Sequence, residues 1–237
     1  MQDLLFLVHR IPFPPNKGDK VRSFNLLRYL SQHYRIWLGA FVDDPEDWRY
    51  LDEVRRFCAE VHCAPLDPRW AKLRSLRGLM RGEPLSLPYY RDARLQSWVD
   101  RVLAEHHIER ALAFSSAMAQ YLRGPRYQRL RRVMDFVDVD SAKWAQYAAG
   151  KPWPLSGVYR REGRVLLDYE RTVATEFAAS VFVTDEEAAL FRRLAPAVAP
   201  ARVTAIANGV DMDYFNPDCD YPNPYPADEQ VLAFTGA

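Results

Sequence analysis

An unbroken run of large apolar residues, Leu4-Leu5-Phe6-Leu7-Val8, most constrains what this chain can fold into. A strand with one wet face alternates polar and apolar residues. This run does not, so both its faces must be covered, as in the parallel sheet of an α/β protein. Pro12, Pro14 and Pro15 follow, where fixed φ and missing N–H groups forbid regular structure. Gly18 and Asp19 then open a helical pattern with Val21, Phe24, Leu27 and Leu30 at three-residue steps. Strand, glycine loop and helix start is how an open α/β sheet presents backbone N–H groups to an anion. Lys20 and Arg22 add positive charge in the first helical turn. The helix dipole disfavours cations there, which suits an anion set against them. A plain surface turn would read the same from these residues alone.

At 237 residues the chain suits one large domain or two small ones and can bury a sizeable core. Its formal net charge of +1 argues against a nucleic-acid partner. Cys58, Cys63 and Cys219 lack metal-ligand spacing, and their odd number disfavours a disulfide framework, so a reducing cytoplasm is expected. Residues 4–8 are too few to span a membrane and do not read as a leader.

Residues 34–42 (YRIWLGAFV) read as a second buried strand. Asp44 is a candidate N-cap with Pro45 at the first helical position, and Trp48, Leu51, Val54 and Phe57 give that helix an apolar stripe. Residues 60–64 form a third short strand. The order β-α-β-α-β calls for a parallel sheet with right-handed crossovers. Residues 69–81 (RWAKLRSLRGLMR) carry five basic residues and no acidic one. On a helix, at about 100° per residue, Trp70, Leu73, Leu76 and Met80 share a face. Such a helix could lie on an anionic membrane, or turn that face onto the sheet and leave a solvated basic rim. Residues 83–90 read as a loop and 95–106 as a further amphipathic helix.

The fourth strand, 111–114, leads into Ser115 and Ser116, and the fifth, 132–137, delivers Asp135 and then Asp138 before Asp140-Ser141, a candidate helix cap. Side chains at the carboxyl ends of such strands face the ligand crevice, so Asp138 stands where chemistry is placed. The long periodic stretch 158–177 is a helix on which Glu162 and Glu170 read as solvated or salt-bridged. Residues 180–184 form a sixth strand, and Asp185-Glu186-Glu187 carry the charge suited to the helix start that follows. Residues 203–207 form a seventh strand, running into the polar turn 208–217. The Pro-rich 221–228 reads as a linker and 230–236 (QVLAFTG) as the start of a new buried strand.

Taken in order, HRIPFPPNKGDKVRSFNLLRYL, VMDFVDVDSAKW, LLDYERTVATEF, SVFVTDEEA, NGVDMDYF and VLAFTG resemble the GT4-type glycosyltransferases of the GT-B fold. The likeness is to the sugar transferases of bacterial exopolysaccharide clusters in particular. It implies two facing Rossmann-like domains, each a mostly parallel sheet with helices on both faces. Residues 1–217 would be the acceptor-side domain, 218–229 a linker, and 230–237 the first strand of a donor-binding domain lying beyond this sequence. By the same resemblance, Gly18, Lys20, Arg22, Asn208 and Gly209 would serve the donor diphosphate, and Asp138 would sit at the reacting sugar. Asp135, Ser115, Thr184 and Glu187 would line the acceptor side. The donor would be a nucleotide sugar, the acceptor a glycan or lipid-linked saccharide, and hexosyl transfer would retain configuration without metal or cofactor. The chain would work in the cytoplasm or at the inner membrane surface, and be inactive by itself. Two departures stand out: one glycine in Asn16-Lys17-Gly18-Asp19 where many members have two, and aspartates where many place a histidine at the end of the fifth strand. A nicotinamide dehydrogenase would need G-x-G-x-x-G after the first strand, which is missing. A non-catalytic acceptor- or membrane-docking module working with a separate subunit is the other reading.

Overall fold

The computed structural model describes residues 1–209 together with 212, 216, 218, 222, 224–226, 228 and 230–232. Strand β1 (Gln2–Val8) is followed by helix α1 (Gly18–Leu30) and β2 (Tyr34–Val42). A 3₁₀ turn over Pro45–Tyr50 runs into α2 (Leu51–Arg55), and β3 (Glu60–Pro65) follows. Helices α3 (Pro68–Ser75), α4 (Arg77–Arg81), α5 (Ser86–Tyr89) and α6 (Ala93–Glu105) precede β4 (Arg110–Phe114) and β5 (Arg131–Val137). Then come α7 (Asp140–Ala149), α8 (Leu155–Glu176), β6 (Ala179–Phe182), α9 (Asp185–Leu194) and β7 (Val203–Ala205). Among the described residues the strands form one seven-stranded sheet, ordered β3-β2-β1-β4-β5-β6-β7, with every pair parallel. This is a Rossmann-like α/β fold.

The apolar run in β1 divides by parity, as the two-residue period of a strand requires. Leu5 and Leu7 enter one core cluster with Trp37, Phe41, Trp98 and Met118. Leu4, Phe6 and Val8 enter the other with Leu27, Ile36, Leu38 and Val54. Burying each such side chain is worth about 1.5–3 kcal/mol, and β1 collects that gain on both faces. Cys58 and Cys63 are free thiols whose pKa burial pushes up to about 12, which leaves them inert.

Tertiary context overrides several local readings. The helix expected from Asp44 is a 3₁₀ turn plus one short helix, although Asp44 does cap it by accepting from the Glu46 N–H. The stretch 69–81 is two helices rather than one, and the loop 83–90 contains α5. Val21 is exposed, because α1 turns Lys20, Arg22, Ser23 and Leu27 inward instead. Glu162 and Glu170 are buried rather than solvated; Glu162 is salt-bridged, as one of the two expectations had it, to Arg161 at 3.2 Å, while Glu170 is held by Ser141.

The inward cations of α1 are matched within the fold. Lys20 Nζ lies 2.5 Å from Asp47 Oδ2, with both side chains almost wholly buried. Arg22 pairs with Asp135 Oδ2 at 3.0 Å and donates to the Ile206 carbonyl at 2.7 Å. The first helical turn therefore grips the segment after β2, strand β5 and the end of β7.

The chain divides into two units, Met1–Ala207 and Asn208–Ala237. In the second, the Asp218 N–H donates to Asn216 Oδ1, and Pro222, Pro224, Tyr225 and Pro226 are exposed. The expected turn 208–217 and terminal strand 230–236 fall largely outside the described residues.

Removing one member of a buried pair strands the other charge at a cost of about 3–5 kcal/mol, whereas replacing both with apolar groups of similar size costs far less. Asp135→Ala should therefore lower unfolding stability by about 3–5 kcal/mol, and Arg22→Met with Asp135→Leu should recover most of that loss in urea denaturation. An additive double variant would show that the pair is not coupled.

Candidate functional site

The strand order places a topological switch between β1 and β4. The chain leaves β1 towards β2, passes through β3, and returns on the other side of β1 as β4. Loops diverging from two neighbouring parallel strands open a crevice at their carboxyl ends, where ligands bind in open α/β sheets.

His9 and Arg10 follow β1 directly into this crevice. The His9 ring stacks on Phe114, the last residue of β4, with centroids 5.8 Å apart and planes 5° from parallel, and meets Tyr90 edge-on at 5.9 Å. Its Nε2 lies 3.1 Å from Asp19 Oδ2 at the start of α1. The same carboxylate oxygen accepts from Arg10 at 2.8 Å, and Arg10 also reaches Asp43, just past β2. The hydrogen bond with His9 and the charge of Arg10 hold the Asp19 carboxyl far below the usual range. The imidazole is thus fixed by one carboxylate and two aromatic rings, with Nε2 towards Asp19 and Nδ1 buried against the protein.

The opposite wall is the loop from β5 to α7. Val137 adopts φ 69°, and Ser115, at the end of neighbouring β4, adopts φ 73°. A left-handed β-branched residue is uncommon, and strain of this kind collects at functional rims. Asp135 Oδ1 accepts the Val137 N–H at 3.0 Å, and the Asp135 carbonyl accepts the Ser115 N–H at 2.9 Å, so one residue braces both. Beyond them Asp138 pairs with Lys143 at 2.5 Å and remains partly exposed. Desolvation lifts the Asp140 carboxyl; Lys143 opposes this, and Asp138, His9 and Glu187 all lie close enough to act on it. The two walls thus meet electrostatically.

A further carboxylate underlies this wall. Glu170 of α8 accepts from both the N–H and the hydroxyl of Ser141, at 3.2 and 2.5 Å, and burial pushes its pKa up to about 8. Gly163 permits this approach of α8 to α7: a Cβ there would lie 3.0 Å from the Ser141 carbonyl oxygen.

The residues expected from the sequence part into groups. Asp138 stands on the rim and Ser115 is at the end of β4 beside it. Gly18 is exposed at the start of α1, next to Asp19, with open space around it. Thr184 is the N-cap of α9, accepting from the Glu187 N–H, and Glu187 Oε2 accepts the Val139 N–H at 2.6 Å, so both tie α9 to the rim. Lys20, Arg22 and Asp135 are corrections. Expected at the crevice, they are buried at 2%, 6% and 3% exposure. Their charged ends are turned into the protein, because Asp47 neutralises Lys20 and Asp135 neutralises Arg22. Asn208 and Gly209 belong to the second unit and are exposed. His9, Arg10, Asp19 and Asp43 were missed, although the strand-end rule applied to Ser115 and Asp138 holds equally for β1 and β2. Among the described residues no three His, Cys, Asp or Glu side chains are grouped as a metal site requires.

Glu170 has a folded pKa above its unfolded value. Its burial therefore costs nothing below the unfolded pKa, and destabilises progressively as pH rises towards about 8. Relative to Glu170→Gln, the wild-type protein should lose stability between pH 5 and pH 8.5 in paired urea titrations; a constant difference would show that Glu170 does not titrate there.

No protein-family model matches the chain, and no curated protein matches it. Among solved structures it is similar to the Candida albicans trehalose-6-phosphate phosphatase N-terminal domain, at 13% identity and a TM-score of 0.49. The alignment covers 92% of this chain and 52% of that one, so this chain spans about half the length of its structural neighbour.

Proposed function

We propose that this chain is the acceptor-side domain of a glycosyltransferase, moving a sugar from a nucleotide-sugar donor to a glycan or lipid-linked acceptor in polysaccharide synthesis at the cytoplasmic face of the membrane. The observation that carries the reading is the convergence of His9, Ser115, Asp138 and Asp140 on the β1–β4 switch point, in a chain whose motifs follow the order found in GT4-type enzymes. Glycosyl transfer passes through an oxocarbenium-like state while negative charge gathers on the leaving diphosphate. His9 and Asp19, paired through Nε2, would position the acceptor hydroxyl. Asp138, salted by Lys143, would face the sugar. The exposed start of α1, where Lys17 supplies no side-chain cap, would offer its backbone N–H groups to the diphosphate. Lys20 and Arg22 serve this reading as the residues that fix α1, not as ligands of the donor.

The test is sugar transfer from candidate nucleotide sugars by the protein expressed from its full reading frame. His9→Asn and Asp138→Asn should each lower kcat by about 10²–10⁴-fold, the range for a positioned acid–base group, with unfolding midpoints unchanged. Wild-type activity in both variants would remove the crevice from the mechanism.

A further inference from the structure

Helices α3 and α4 are amphipathic the wrong way round. The side turned to the protein is made of small residues and backbone. Ala71 and Gly78 are buried, and a Cβ at Gly78 would come within 3.0 Å of the Glu83 carbonyl oxygen. Arg74 lies on this inner side, donating to the Pro88 and Tyr89 carbonyls at 2.7 Å each. From α8, Arg161 donates to the Gly78 carbonyl at 2.8 Å and the Glu83 carbonyl at 3.0 Å. Asp67 caps the start of α3, accepting the Arg69 N–H at 2.8 Å. The pair is therefore held by polar bonds to its inner surface, and the large apolar side chains are left outside. Trp70 is 70% exposed, Leu73 57%, Leu76 53%, Leu79 41% and Met80 85%. Among them stand Arg69, Lys72, Arg77 and Arg81, all exposed, with no acidic residue from 69 to 81. The expectation that the stripe could cover the sheet is overturned.

An exposed, contiguous set of large apolar side chains marks an interaction surface, and its charge selects the occupant. A second copy of the chain would bring the same cations against themselves, which like-charge repulsion opposes. We propose that this face seats on an anionic membrane. Trp70, Leu73, Leu76, Leu79 and Met80 enter the boundary between headgroups and acyl chains, while Arg69, Lys72, Arg77 and Arg81 extend to the lipid phosphates. Among the described residues no helix is long and apolar enough to cross a membrane, so the attachment is to the surface. The helix that carries the face is tied to the crevice from its inner side: Arg74 grips the carbonyl of Tyr89, and the next residue, Tyr90, rests edge-on against His9. Resting on the transfer reading above, seating α3 and α4 on the bilayer would make a lipid-linked saccharide the fitting acceptor class.

Vesicle co-sedimentation, with no donor or acceptor present, tests the docking face independently of any transferase activity. The protein should bind phosphatidylcholine vesicles containing phosphatidylglycerol at least about tenfold better than phosphatidylcholine alone, and release in high salt. Changing Arg69, Lys72, Arg77 and Arg81 to Gln one after another should weaken binding roughly fivefold per charge. Trp70→Ser with Met80→Ser should abolish it. All these side chains are exposed, so circular dichroism and the urea midpoint should match wild type. Equal binding to neutral vesicles, no binding, or binding untouched by the variants would overturn the proposal, as would self-association that the Trp70 and Met80 changes disrupt. Loss of transferase activity in the His9 variant with vesicle binding intact would bear on the crevice alone.

Discussion

The structure depends on how the first turn of α1 is charged. Lys20 sits in the first turn, where the helix dipole opposes cations, and Arg22 follows just beyond it; both are buried. They are tolerable only because Asp47 and Asp135 arrive from elsewhere to neutralise them. Lys20 reaches the β2 side of the sheet, and Arg22 reaches β5 and the end of β7. One helical turn thereby spans the switch point and sets the start of α1 beside the loops that form the crevice. Asp135 extends the arrangement by also bracing the left-handed Val137 and Ser115. The strain at the rim rests on the same buried carboxylate that anchors the helix.

Above that base the site is a chain of dependent contacts. Asp19, one residue before Lys20, fixes His9 and Arg10. Glu187 ties α9 to the loop after β5, and Glu170 holds the start of α7 from beneath. Asp138 and Lys143 remain partly exposed on the rim. Farther along the same edge, α3 and α4 reverse the usual economy of an amphipathic helix. Arginines satisfy backbone carbonyls within, and leucines and tryptophan face outward.

The parallel sheet was legible because its evidence is local. Runs such as residues 4–8 and 34–42 state that both faces of a strand are covered, and the strand-helix alternation then leaves few topologies. Asp138 was legible by the same route, as the residue after a strand. The helix breaks were less so. Nothing between residues 69 and 81 announces that Arg74 and Arg161 will bond to carbonyls and hold the small face inward.

The sequence by itself determined the fold class, the order of most elements and the edge of the sheet on which a site would lie, since these follow from the periodicity and spacing of neighbouring residues. Only the tertiary structure decided which charges are ligand-facing and which are internal. Lys20 and Asp47 are 27 residues apart, Arg22 and Asp135 are 113 apart, and Ser141 and Glu170 are 29 apart. A cation that awaits an anion and one that already has its carboxylate look alike along the chain. They differ in the distance to a partner that folding brings near, because Coulomb attraction and desolvation act through space rather than along the sequence.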